Sequence, residues 1–310
     1  MIVIKKENII SIGILMVLIL VTQTVLGENN QKNLIVRNGD VYTLTLADLS
    51  FSVSASIGGR IISFQRGGHE ILSTSIVHSV YYGSTLWLSP QSDYWPQYPS
   101  IDKLPYKANI LRNKLRLTSI TDSINGIRVI KEFTFSLKDT AILINYIIKN
   151  ISNKAKQLAP WDVTRVAGGL SFFPVGEVDA GNTSNVKNTS EKNGILWFAF
   201  VPDALAEKQK LYSTNRAGWI AHCYKNLLFV KCFPNIPPPD APPGQGETEI
   251  FVAPSGSYIE LENHGSYKTL LPKRSLKYSE KWFLFNSQDF LKKDKALLIQ
   301  RIEKLNKEIK

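Results

Sequence analysis

The chain has 310 residues, with 37 lysines and arginines against 26 aspartates and glutamates, 44% hydrophobic and 20% charged residues, 2 cysteines and 4 histidines. Apolar content that high with so moderate a charge belongs to a globular protein and excludes intrinsic disorder. Two cysteines rule out a disulfide scaffold and a multi-cysteine metal cluster, and four histidines leave little supply for an all-histidine zinc site.

The N-terminus reads as an export signal, residues 1–27. Lys5 and Lys6 precede an apolar run over residues 9–20, and Gly27 supplies a small residue at the expected cleavage point. The run is shorter than the roughly 20 residues a spanning helix needs, so cleavage is expected and an uncleaved anchor is the alternative. The mature chain is then expected in the periplasm or outside the cell, with no stable membrane span. Cleavage removes Lys5, Lys6 and Glu7, so most of the formal charge of +11 survives. Such a surface attracts acidic polysaccharides or an anionic membrane, and charge alone does not choose between them.

From residue 41 to about 150 the apolar residues alternate with period two. Leu49, Phe51 and Val53 alternate with serines, and Gly58-Gly59 and Gly67-Gly68 punctuate the first hairpin. Residues 84–106 hold two tryptophans, four prolines and little periodicity, and read as a loop. After an Asn125-Gly126 turn come Ile127, Val129, Phe133 and Phe135, then Ile142, Ile144, Tyr146 and Ile148 beyond Asp139. Strand signals recur at 195–201, 218–224, 227–233, 248–253, 257–262 and 276–285, separated by polar or proline-rich loops at 176–194 and 234–243. No glycine-rich phosphate loop or βαβ rhythm interrupts them.

A hairpin turning near Lys225-Asn226 sets Cys223 opposite Leu228, about four residues from Cys232 along the strand. That offset exceeds disulfide reach, so two buried thiols are expected. From residue 287, Leu291, Leu298, Ile302, Leu305 and Ile309 share one helical face, which predicts an amphipathic helix over 287–310 packed on the sheet or on a partner. The lysines interleaved with them form a solvated face, and no nucleic-acid partner is expected. One all-β domain, 28–286, is expected between the signal and the helix.

Three regions carry candidate chemistry. The segment around Trp87, Gln91, Asp93 and Trp95 combines aromatic rings with hydrogen-bonding side chains, the pairing that sugars require for their C–H faces and hydroxyls; the bland alternative is a stiff loop whose tryptophans are merely buried. In the second region, Trp161 and Arg165 share one face of an extended segment and Asp162 the other. Arg165 could hold a ligand carboxylate or hydroxyl, or an acid of the fold itself. In the third, period two places Tyr258, Glu260, Glu262 and His264 on one face, a set suited to proton transfer, or equally to the polar side of an ordinary strand. Glu247 and Glu249 form a similar, lower-ranked pair.

Together, Ile57-Gly58-Gly59-Arg60-Ile61-Ile62-Ser63-Phe64, Trp87-Leu88-Ser89-Pro90 with Trp95-Pro96, and Tyr258-Ile259-Glu260-Leu261-Glu262 followed by Leu270-Leu271-Pro272-Lys273-Arg274-Ser275 resemble the galactose mutarotase-like superfamily, nearest its exported bacterial branch related to aldose 1-epimerases. The resemblance implies an antiparallel β-supersandwich that binds a mono- or oligosaccharide across its concave face without a cofactor. It implies Glu260, or next Glu262, as the base that takes the anomeric proton while a histidine protonates the ring oxygen. The family's histidine would fall within 161–173, where this chain has Arg165 and no histidine; His264 and His222 then stand as candidate acids, with Trp87, Gln91, Asp93, Trp95, Trp161, Asp162, Arg165 and Glu249 shaping the sugar site. A noncatalytic glycan-recognition module, a polysaccharide lyase of related fold, and an envelope protein that docks a partner through its C-terminal helix are the other readings, since fold does not fix function.

Overall fold

The structure is a computed structural model that describes residues 34–176, 185–201, 208–287 and 295–307. The expected signal and the helix positions Leu291 and Ile309 lie outside the described residues. The chain opens with β1 (Leu34–Asn38), β2 (Val41–Leu46), β3 (Leu49–Ser54), β4 (Arg60–Arg66), β5 (His69–Glu70) and β6 (Ser84–Ser89). Two helical turns follow, α1 (Gln91–Tyr94) and α2 (Pro99–Asp102). Next come β7 (Lys107–Leu111), β8 (Lys114–Thr118), β9 (Ile127–Ser136), β10 (Ala141–Asn150), β11 (Lys156–Val166) and β12 (Leu170–Pro174). The chain continues through β13 (Thr189–Lys192), β14 (Ile195–Ala199), β15 (Gln209–Ser213), β16 (Trp219–Tyr224) and β17 (Leu227–Cys232). It ends with β18 (Thr248–Val252), β19 (Ile259–His264), β20 (Lys268–Leu270), β21 (Ser275–Asn286) and helix α3 (Lys295–Lys307).

All the strand pairings are antiparallel, and they form two sheets. The first runs β1-β2-β3-β4-β6-β11-β19-β18-β15, with β5 on β4 and β20 on β11; the second runs β13-β14-β12-β16-β17-β21-β10-β9-β8-β7. The alternation in β2, β3 and β10 is the cause of the layering, because it turns every second side chain inward. Phe51 and Phe64 of the first sheet pack on Phe133, Phe229 and Trp282 of the second, with ring centroids 5.6 Å apart for Phe51 and Phe133 and 6.0 Å for Phe64 and Phe229. This is an antiparallel β-sandwich of two sheets.

Two expected loops contain strands, and one expected hairpin is present. Residues 84–89, expected as loop, are β6, in the interior of the first sheet. All six of its residues are buried, so the polar/apolar alternation that marks a half-exposed strand is missing. The polar stretch 176–194 also ends in an edge strand, β13, whose four residues are exposed. The β16–β17 hairpin does pair Cys223 with Leu228 and turns at Lys225-Asn226, leaving both thiols free and buried. Burial raises both thiol pKa values, that of Cys223 to about 12.

Helix α3 docks on the outer face of the second sheet, where Leu298 and Ile302 join Phe172, Trp197, Trp219 and Val230. Among the described residues no helix is long and apolar enough to cross a membrane.

Candidate functional site

The site lies on the outer face of the first sheet, where β6, β11, β19, β18 and β15 run side by side. Register fixes which residues meet. Trp87 pairs with Trp161 and Trp161 with His264; Arg165 pairs with Glu260, Glu260 with Phe251, and Phe251 with Lys210; Glu262 lies between Val163 and Glu249, and Glu249 beside Tyr212. Because successive strand residues alternate faces, these share one surface. Over them lies a cavity of about 200 Å³, bordered by Tyr81, Trp87, Gln91, Trp95, Trp161, Lys208, Lys210, Tyr212, Phe251, Tyr258 and Glu260.

Three tryptophans form its aromatic wall. The ring centroids of Trp87 lie 4.8 Å from Trp95 and 5.2 Å from Trp161, both in edge-to-face geometry. Trp95, on the segment after α1, is 42% exposed and stands at the mouth; Trp87 and Trp161 are buried below it. Trp161 also stacks on the His264 imidazole at 5.3 Å and donates from Nε1 to Glu262 Oε2 at 2.7 Å.

Behind this wall sits a charged cluster. Lys210 Nζ bridges Glu249 Oε2, at 2.7 Å, and Glu262 Oε1. Burial works against the Lys210 ammonium, but the two carboxylates outweigh it and raise its pKa, so it stays protonated. Lys210 and His264 in turn hold Glu249 below the usual carboxylate range despite its burial. Glu262, penalised by burial and by the neighbouring Glu249 and Glu260 charges, is pushed up. His264 is fully buried, its Nε2 is 3.3 Å from Glu249 Oε1, and burial lowers its pKa. Glu249, Glu262 and His264 bring three potential ligand atoms within 4.8 Å of one another. A metal ion would compete there with Lys210, whose ammonium already supplies the positive charge between the carboxylates.

Glu260 borders the cavity and accepts from Arg165 Nε at 2.8 Å. Arg165 is fully buried, with Cζ 4.9 Å from the Trp87 ring and 5.5 Å from that of Tyr81.

Of the residues singled out in the sequence, Trp87, Gln91, Trp95, Trp161 and Glu260 border the cavity, and Arg165, Glu249, Glu262 and His264 lie directly behind it. Three are placed elsewhere. Asp162 faces the opposite way, between the sheets, where it accepts from Tyr146 Oη at 2.9 Å and Lys231 Nζ at 2.6 Å. Asp93 is exposed and accepts from Ser92. His222 belongs to β16 of the other sheet, hydrogen-bonded through Nδ1 to Ser171 at 2.9 Å, and burial drives its pKa down to about 3. The sequence reading missed Tyr81, Lys208, Lys210, Tyr212 and Phe251. The alternation of Lys210 and Tyr212 was available as a signal; that β15 joins β19 through β18 was not.

A model of the family described as a domain of unknown function, DUF4380, matches residues 106–285, more than half of the chain. The chain belongs to this family. No curated protein sequence matches it. Among solved structures, the DUF4380 chain is similar to a candidate aldose 1-epimerase from Klebsiella pneumoniae (10% identity, 87% of this chain and 86% of that one, TM-score 0.55). It is also similar to a galactose mutarotase-like protein from Clostridium acetobutylicum (11% identity, 83% and 100%, TM-score 0.53). A TPR-domain containing protein from Parabacteroides distasonis aligns at 13% identity and TM-score 0.56 over 79% of this chain, which spans only 46% of that protein's length. At such identities the likeness establishes the galactose mutarotase-like fold.

Proposed function

We propose that this DUF4380 protein binds a sugar ring in the cavity over β11 and β19. The observation that carries the reading is the convergence of Trp87, Trp95 and Trp161 on a space bordered by Glu260, Gln91 and Lys210. The rings offer faces for the apolar side of a pyranose, and the carboxylate, amide and ammonium offer acceptors and donors for its hydroxyls. Titration with aldoses and oligosaccharides, followed by tryptophan fluorescence, tests it. Trp95→Ala should weaken binding about tenfold, the worth of one good aromatic contact, while its lost edge contact with Trp87 costs only about 1 kcal/mol of stability. Failure of every sugar tested to bind, or unchanged affinity in the variant, defeats the reading.

Interconversion of anomers is a second reading, favoured by the position of Glu260, the residue that the resemblance assigns as base. Its acid partner is then not His264, which Trp161 stacks over and which has no exposed surface. Lys208, Lys210, Tyr81, Tyr212 and Tyr258 are the lysines and tyrosines that border the cavity and could donate the proton. If the protein accelerates mutarotation of an aldose in polarimetry, Glu260→Gln should remove that acceleration. If no aldose responds to the wild-type protein, noncatalytic glycan recognition stands instead. We also propose that the chain is exported, on the character of residues 1–27; an exported product whose intact mass begins at Glu28 supports this, and recovery of the protein only in the cytosolic fraction with Met1 in place contradicts it.

A further inference from the structure

We infer that the sugar carries a carboxylate, which Arg165 receives end-on; the inference rests on the proposed sugar site. Arg165 has no exposed side-chain surface, and its Nε is committed to Glu260 Oε1. Nη1 and Nη2 make no hydrogen bond of good geometry, and the Tyr258 hydroxyl interacts with the guanidinium only loosely. Leaving two buried donors of a charged group unmade is costly, and such orphans mark places where a partner belongs. The free end of a guanidinium is a planar fork that matches the two oxygens of a carboxylate.

The fork lies immediately behind the cavity wall, since the groups around Arg165 are themselves cavity residues: Glu260 through the ion pair, and Trp87 and Tyr81 through their rings. Tyr81 stands on residues 74–83, which contain no strand or helix, and it is half-buried, so rotation of its ring opens the approach without breaking a sheet. Charge points the same way. Glu260 balances Arg165, Lys210 is shared by Glu249 and Glu262, and Lys208 adds an ammonium at the cavity edge, 5.7 Å from the Phe251 ring.

The test is calorimetric titration of the full chain at low salt with glucuronate, galacturonate, glucose, galactose and glucose 6-phosphate. At least one uronate should bind about tenfold or more tightly than its neutral parent. That advantage should vanish in the Arg165→Gln, Glu260→Gln double variant, which removes both charges together and so avoids stranding one in the interior. Arg165→Lys, which keeps a positive charge opposite Glu260 and removes the planar fork, should cut the uronate advantage several-fold; this variant and the wild-type comparison decide the matter if the double variant does not fold. Equal affinity for uronate and parent overturns the inference while leaving the sugar site standing. Preference for the phosphate ester overturns the assignment of a carboxylate, and absence of binding by all five sugars overturns both.

Discussion

Glu247 is buried, and its carboxyl oxygens accept from the backbone N–H groups of Ile236, at 3.0 Å, and Asn215, at 3.1 Å. Burial outweighs those two bonds and pushes its pKa up to about 8. Between the ordinary glutamate range and that value the folded state holds a proton that the unfolded chain has lost. Glu247 therefore subtracts stability as pH rises from about 5 to about 8, by up to about 1.4 kcal/mol per pH unit. Glu247→Gln remains neutral throughout, so its stability relative to wild type should climb across that window. Urea unfolding at three pH values measures the difference, in which other titrating groups cancel; parallel profiles would contradict the assignment. At this scale the sequence showed which groups could be chemical but not their states. Glu260 and Glu262 are two positions apart on one strand, yet the first meets Arg165 at the cavity and the second is buried between Lys210 and Trp161. The difference comes from neighbours on β11 and β15, more than 50 residues away.

Gly58 shows how one position fixes an element. Its φ is +61°, and a Cβ there would lie 2.4 Å from the backbone carbonyl of Asp102 in α2. The side-chain carboxylate of Asp102 in turn accepts from Thr85 at 2.8 Å and from Arg60 at 3.3 Å. Gly58→Ala should therefore lose more than the about 1–2 kcal/mol of left-handed strain, because α2 must also move. Gly39, with φ +58° and open space around it, serves as the control and should lose only the strain. Chemical denaturation of the two variants checks the contrast, and equal losses would show that the approach to α2 is not a constraint. Elements with one wetter face, such as β2, β3 and β10, were legible because alternation survives there. β6 was not, because it is buried on both faces, and the prolines and tryptophans after it gave its neighbourhood the look of a loop.

Across the whole molecule, the all-β class and the closing helix were readable from periodicity, and the β16–β17 register followed from its turn. The site was readable only as pieces. Trp87, Trp161, Lys210 and Glu260 meet because β6, β11, β19, β18 and β15 are neighbours in an order that does not follow the chain, and single-strand patterns carry no information on that order. The resemblance to mutarotase-like proteins suggested the link, and residues 161–173, where it expects a histidine, contain none. A crystal structure of the protein soaked with a monosaccharide tests the central claim most directly. A sugar ring should stand against Trp87, Trp95 or Trp161 with a hydroxyl within hydrogen-bond distance of Glu260. Sugar density found only elsewhere, for instance in the groove between α3 and Trp197, or no density at a concentration that saturates binding in solution, would contradict it.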